Sequence, residues 1–384
     1  MSRLTMILGA LILARVALPI SGAKTRAAFP RYDRHLLLEA KAETSANVSF
    51  GDVDGDGNLD IVLAKGRHWP LRDRVLLGDG HGGIRAAYDL GIAEDRSYSG
   101  RLVDMDGDRF LDVVISNDAP DRKLVYLNDG KGRFRVGSTY GRPEWETRNA
   151  SVADLDGDGR PDIIVANRSA KKDGANYFCL NRGKGRFDAD CVAFSHYPAT
   201  TITPADFNHD GLIDLAVPHR DGGQSFVYLA GPNASFSDSR RVAFGPPDAT
   251  IRMTEAADLD GDGLTDLVAV DEHTGVTCYF GQQEGSFSSG VPVAGRSAVP
   301  YALAVGDLDL DGHIDIVVGH VEAPSTIYFN DGSGRRFTAV DFGDNQGTVY
   351  GFAIGDLDHD GLPDIAAARS EAPNVVYFAA RETP

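Results

Sequence analysis

With three cysteines in 384 residues the chain cannot build a disulfide framework, so its fold has to rest on an apolar core, on bound ions, or on both. Cys179 and Cys191 flank the turn Asn181 to Arg186 and could face each other across two neighbouring strands, whereas Cys278 reads as a small buried side chain. Basic residues are scarce, 38 against 56 acids, and the formal charge of -18 speaks against nucleic acid or an anionic membrane as partner. No apolar spacing of 3.6 persists after the N-terminal segment, which excludes helical repeats. No later stretch is apolar enough to cross a bilayer. A nucleophile elbow, a His-Glu-x-x-His zinc motif and a phosphate-binding loop are all missing, so those chemistries have no residues to carry them.

The one long apolar run is at the start. Arg3 precedes Leu4 to Ile20, broken by Arg15, and Ser21-Gly22-Ala23 supplies small residues suited to cleavage. Residues 1–23 are therefore expected to be an export signal, too short for a spanning helix of about 20 apolar residues. The mature chain, 24–384, is expected as a secreted monomer in the periplasm, at the cell surface or in the medium, with no membrane insertion after cleavage. It contains no polar tract long enough for a linker, so a single large domain is expected.

What the sequence has in abundance is one repeated signature, Asp-x-Asp-x-Asp-Gly-x-x-Asp, starting at Asp52, Asp104, Asp154, Asp206, Asp258, Asp307 and Asp356. The intervals are 52, 50, 52, 52, 49 and 49 residues. Each unit carries four short segments rich in Val, Ile, Tyr and Phe, such as Ile163-Ile-Val-Ala166 and Tyr177-Phe-Cys-Leu180 in the third. Four strands per ~50 residues is the size of a propeller blade. The reading is an all-β, seven-bladed β-propeller of four-stranded antiparallel blades, with repeats starting near 46, 98, 148, 200, 252, 301 and 350. The seventh unit stops at Asn374-Val-Val-Tyr-Phe378 without a fourth strand, and His35-Leu-Leu-Leu-Glu39 is a strand without a blade. That N-terminal segment is expected to complete the last blade and close the ring.

The spacing of the carboxylates is that of a calcium loop. Side chains at positions 1, 3, 5 and 9 and a carbonyl at 7 can surround a hard cation that takes six to eight oxygens, and Gly at 6 permits the sharp turn. The sets are Asp52, Asp54, Asp56 and Asp60; Asp104, Asp106, Asp108 and Asp112; Asp154, Asp156, Asp158 and Asp162; and Asp206, Asn208, Asp210 and Asp214. They continue with Asp258, Asp260, Asp262 and Asp266; Asp307, Asp309, Asp311 and Asp315; and Asp356, Asp358, Asp360 and Asp364. Plain Asp-Gly turns need one or two such residues, not four at fixed spacing seven times over. Up to seven structural calcium ions are expected, offsetting all but about 4 of the negative charges. Arg109 at the turn position of the second loop, and Asn208 with His209 in the fourth, predict weaker or empty sites there.

These loops, with Leu127-Asn-Asp-Gly-Lys-Gly-Arg-Phe134, Leu180-Asn-Arg-Gly-Lys-Gly-Arg-Phe187 and Phe329-Asn-Asp-Gly-Ser-Gly334, resemble the FG-GAP or VCBS repeats, which also build the propeller of integrin α-subunits. The resemblance covers about residues 46–378. It implies calcium loops on one face and function on the other, and it extends to adhesive modules, lectins and carbohydrate-active enzymes alike.

On the face opposite the loops, six residues before each loop, stand Ala46, Tyr98, Arg148, Thr200, Arg252, Tyr301 and Tyr350. Thirteen residues after the first aspartate of each loop stand Lys65, Asn117, Asn167, His219, Asp271, His320 and Arg369. Both registers are expected near the mouth of the central channel, joined by Arg67-His68-Trp69, Glu144-Trp145-Glu146, Arg168, Lys171-Lys172 and Arg220. Aromatic faces stack on sugars and guanidiniums pair with carboxylate or sulfate, so an acidic polysaccharide is the expected ligand, with a surface protein as the other partner class. The alternative is a polysaccharide lyase cleaving uronate polymers by β-elimination, with Arg148, Arg252 or Arg220 neutralising the uronate, His219 or His68 as base and Tyr98, Tyr301 or Tyr350 as acid. A hydrolase would need two carboxylates at set separation, and only scattered acids such as Asp271 and Glu272 are at hand.

Overall fold

The computed structural model describes residues 29–168, 174–188, 190–294 and 298–381. The segment 1–23, expected to be an export signal, and the Lys171-Lys172 pair lie outside the described residues. Among the described residues there is no α-helix, only two single-turn 3-10 segments, and no helix is long and apolar enough to cross a membrane.

Seven four-stranded antiparallel sheets form the ring. In blade 1 the strands A to D are Ser45–Gly51, Asp60–Lys65, Arg74–Gly78 and Ile84–Asp89, each paired with the next. Blades 2 to 6 repeat this order, with A strands at Ser97–Val103, Thr147–Ala153, Thr203–Ala205, Ile251–Ala257 and Pro300–Gly306. Blade 7 takes Thr348–Gly355, Asp364–Ser370 and Val375–Ala380 from the C-terminus, and its outermost strand from Arg31–Leu37. The expected closure is therefore realised, with the strand beginning four residues earlier than the apolar run because Tyr32 is buried and its hydroxyl donates to the Pro363 carbonyl at 3.0 Å.

B strands such as Asp60–Lys65, Asp112–Asn117 and Asp315–His320 are buried along their whole length, as a strand covered by blades on both faces must be. The core is divided into seven apolar clusters, and each holds one residue from the second position of an aspartate loop: Val53, Met105, Leu155, Phe207, Leu259, Leu308 and Leu357. Burying one such side chain stabilises by about 1.5–3 kcal/mol, so the loop is anchored by apolar packing independently of any ion. The Asn of the turn motif adds a polar tie. Asn128, Asn181 and Asn330 donate from Nδ2 to the second-position carbonyls Val53, Met105 and Leu259 of the preceding blade at 2.7, 2.8 and 2.8 Å. Cys179 and Cys191 are bridged, Cα to Cα 4.4 Å, across strands C and D of blade 3.

Candidate functional site

The aspartate loops occupy one face of the ring, together with the C–D turns. In the first, Asp52 accepts from the Gly55 and Gly57 amides at 2.7 and 2.9 Å, and Asp56 accepts from Asn58 at 2.9 Å. Gly57 sits at φ +87°, a conformation that Arg109 is forced to adopt, at +76°, in the second loop. The ninth-position carboxylate has a separate duty. Asp60 is fully buried and accepts from Val53 and Gly78 amides at 2.8 and 2.9 Å, tying strand B to its loop and to strand C. Burial pushes Asp60, Asp112, Asp162, Asp214, Asp266 and Asp364 up to about 6 and Asp315 up to about 7.

The donor set fits a hard divalent cation. Asp52, Asp54 and Asp60 can each place an oxygen within 4.8 Å of the others, and so can Asp104, Asp106 and Asp108. The same holds for Asp154, Asp156 and Asp162, for Asp258, Asp260 and Asp262, and for Asp307, Asp309 and Asp311. At the third position of three loops, Asp54, Asp156 and Asp260 each keep a buried Oδ1 with no hydrogen-bond partner, the kind of oxygen whose desolvation a cation would offset.

The opposite face holds the mouth of the channel. The ladder between strands A and B slips in six blades, and the residue left without a partner is Ala46, Tyr98, Arg148, Arg252, Tyr301 or Tyr350. A bulge re-aims one side chain out of the sheet, and here it turns the first register expected at the rim into the channel mouth. The pocket formed there is lined by Arg67, His68, Tyr98, Arg148, Arg168, Thr200, Arg220, Arg252 and Tyr350. Tyr301 meets Tyr350 edge to face, with ring centroids 5.0 Å apart.

Arginine and tyrosine alternate around this mouth. Arg67 lies 3.7 Å over the Tyr350 ring, Arg148 4.8 Å over Tyr98 and Arg252 3.5 Å over Tyr301. Three carboxylates hold the guanidiniums in place. Asp118 meets Arg148 at 2.6 Å, Asp221 meets Arg168 at 2.6 Å, and Glu272 meets Arg220 at 2.6 Å and Arg252 at 3.1 Å. Burial pulls the Arg252 guanidinium down to about 10. Burial would raise the Tyr301 phenol, but Arg252 and Arg220 outweigh it and hold it below its ordinary value. The Tyr98 hydroxyl is 3.0 Å from Nε2 of His68, whose pKa is lowered by burial and by Arg67 and Arg148.

A family comparison agrees with this architecture. The FG-GAP-like repeat matches residues 104–165, 154–217, 206–269, 258–318 and 307–367, well over half of the chain. The chain belongs to the FG-GAP repeat family. Among solved structures this FG-GAP chain is similar to BBS1N, crystallised in complex with ARL6DN (TM-score 0.61, 11% identity, 93% of this chain and 98% of that one). It is also similar to the Dos1 propeller (0.55, 9%, 91% and 95%) and to Chaetomium thermophilum Raptor (0.59, 9%, 94% and 29%). At these identities the likeness is one of fold. No curated protein sequence matches the chain.

The second register in this FG-GAP chain does not reach the mouth. Lys65 is 1% exposed and paired with Glu39 and, at 2.7 Å, with Glu43. Asn117, Asn167, His320 and Arg369 are buried too, because each turns back to bond a carbonyl of its own B–C turn, at Arg122, Ala175, Pro324 and Pro373. Asp271 caps its turn through the His273 and Thr274 amides. His219 packs against Tyr197, ring centroids 5.9 Å apart, and Trp145 stacks on Tyr177 at 4.0 Å within the core between blades 2 and 3. Trp69, 62% exposed, stands beside His68 on the rim. Sequence reasoning missed Thr201, Asn149 and Met253, which line the same pocket. Asn149 and Met253 stand one residue after a bulged position and Thr201 at the same register of blade 4, so they carried a register signal that only the bulges make interpretable.

Proposed function

We propose that the chain is a calcium-stabilised binding propeller that holds an acidic polysaccharide at the arginine and tyrosine mouth, with the aspartate loops serving the ring and not the ligand. The observation that carries the reading is the convergence of Arg67, Arg148, Arg168, Arg220 and Arg252 with Tyr98, Tyr301 and Tyr350 at one end of the channel. In a chain of charge -18 this is a local reversal of sign. Guanidiniums that are already held by Asp118, Asp221 and Glu272 lose little side-chain freedom when an anion arrives. Placement outside the cytoplasm is part of the proposal, motivated by the N-terminal apolar run and the Cys179–Cys191 bridge.

A lyase is the second reading, favoured by one observation, the contact of His68 with Tyr98 next to Arg148. His219 lies apart from the mouth, so His68 is the base this reading now requires. One experiment separates the two. The protein is incubated with uronate polymers while ultraviolet absorbance of unsaturated product and retention of polymer are followed together. Retention without absorbance supports the module; a rise in absorbance that His68→Ala abolishes establishes the lyase; neither signal removes the acidic-polysaccharide reading.

A further inference from the structure

The pocket at the mouth is a well of about 80 Å³ whose lining, besides the arginines and tyrosines, includes Thr200, Thr201, Asn149 and Met253. That is room for a handful of waters, or for one small anion and the first atoms of the group bearing it. Its polar walls are incompletely used. Thr200 Oγ1, Thr201 Oγ1 and Arg67 Nε are buried atoms with no hydrogen-bond partner, and Thr201 is only 7% exposed. Arg148 Nη1 lies 2.6 Å from Asp118 but off the line a hydrogen bond requires. A buried polar atom left without a partner is costly, and three such atoms around one well, with the poorly aligned Arg148 Nη1 beside them, point to a ligand that satisfies them.

The directions of these donors narrow its class. Arg67 comes from blade 1, Arg148 from blade 3, Thr200 and Thr201 from blade 4 and Arg252 from blade 5, so donors encircle the channel axis. A planar carboxylate is best served by one guanidinium fork lying in its plane. A tetrahedral oxyanion presents oxygens around its axis and suits a crown of donors. Arg67 has no carboxylate partner among the described residues, and its backbone is held at φ +53° by the hydrogen bond from its amide to the Ser97 carbonyl at 3.1 Å. A strained, non-glycine residue carrying the unpaired cation is what a built anion site would show.

We infer that the well takes a tetrahedral oxyanion ester, a sulfate or phosphate group carried at an end or branch of the ligand, entering along the channel axis. The inference rests on the mouth being the ligand site, and specifies which charged group fills it. The full chain is titrated calorimetrically with inorganic sulfate, inorganic phosphate, a monosulfated hexose, a hexose phosphate, a hexuronate and an uncharged hexose. The expected result is that the sulfated or phosphorylated sugar binds at least 10-fold tighter than the hexuronate; the tighter of those two arms identifies the source. The Thr200→Val, Thr201→Val double variant is expected to lose about 10-fold for that sugar, whereas the Thr200→Ser, Thr201→Ser double variant, which keeps both hydroxyls, is expected to retain the affinity, with circular dichroism unchanged in both. Equal or tighter binding of the hexuronate, or full affinity in the double valine variant, overturns the inference. If uronate polymer is retained through Arg148 and Arg252 while sulfate and phosphate fail to compete, this inference falls and the polysaccharide reading stands. If no anionic sugar binds, both fall.

Discussion

The Arg252 guanidinium lies 3.5 Å over the ring of Tyr301 and donates from Nε to the Tyr301 carbonyl at 2.9 Å. One residue thereby locks the inner strands of blades 5 and 6 together and presents a charge to the channel. Arg252→Ala is expected to remove both roles, weakening binding of acidic polysaccharide by at least 10-fold and lowering the melting temperature. Tyr301→Phe keeps the ring and is expected to retain stability while losing the 3.2 Å bond from Arg220. Comparing melting curves and polymer retention for the two variants separates architecture from recognition.

Lys65 closes the ring rather than lining it. Its ammonium is paired with Glu39 and Glu43, while Asn374 in the last blade donates to Glu39 at 2.8 Å. Breaking a buried pair strands the partner charge, so Lys65→Ala is expected to destabilise by about 3–5 kcal/mol. Chemical denaturation is the measurement. The double change Lys65→Met, Glu39→Leu is expected to recover much of the loss.

Asp73 supplies a pH dependence. Burial pushes its carboxyl up to about 7. The Ser97 hydroxyl, with one proton, faces both Asp73 Oδ2 at 2.9 Å and Asn117 Oδ1 at 2.8 Å. A proton on Asp73 lets the chain of donors run from Asp73 through Ser97 to Asn117. Because the folded pKa is above the unfolded value, this contribution to stability is complete below about pH 4 and is lost as pH rises through about 7. Asp73→Asn, which carries its own N–H, is expected to flatten that dependence, with the largest gain over the native protein at pH 8.

Calcium removal tests the loops. If each loop binds one ion, calcium at 100-fold above the dissociation constant stabilises by about 2.7 kcal/mol per site. Melting in chelator is expected well below melting in millimolar calcium. Asp54→Asn and Asp156→Asn, which alter carboxylates with an unpartnered oxygen, are expected to shrink the difference more than Arg109→Gly changes it.

The ring was legible in the sequence because its cause is repeated. An Asp at position nine that bonds two amides and an apolar residue at position two that fills an inter-blade cluster recur in every unit, and each repetition reinforces the reading. The mouth was legible only in part. The register of Tyr98, Arg148 and Arg252 could be read from spacing, but the register of Lys65, Asn167 and Arg369 could not be told from it, because both fall at strand ends on the same face. What separates them is a bulge that turns one set inward and turn carbonyls that draw the other back, and neither leaves a mark in composition. The pairing roles of Glu272 and Asp118 were hidden for a related reason: Arg220 and Arg148, which they hold, lie on neighbouring blades, 52 and 30 residues away.

A crystal structure of the protein with a bound acidic oligosaccharide tests the central claim most directly. The account expects sugar density over the Tyr98, Arg148, Arg252 and Tyr350 side chains at the channel mouth. Density on the aspartate-loop face or along the outer strands, with the mouth holding solvent alone, would contradict it.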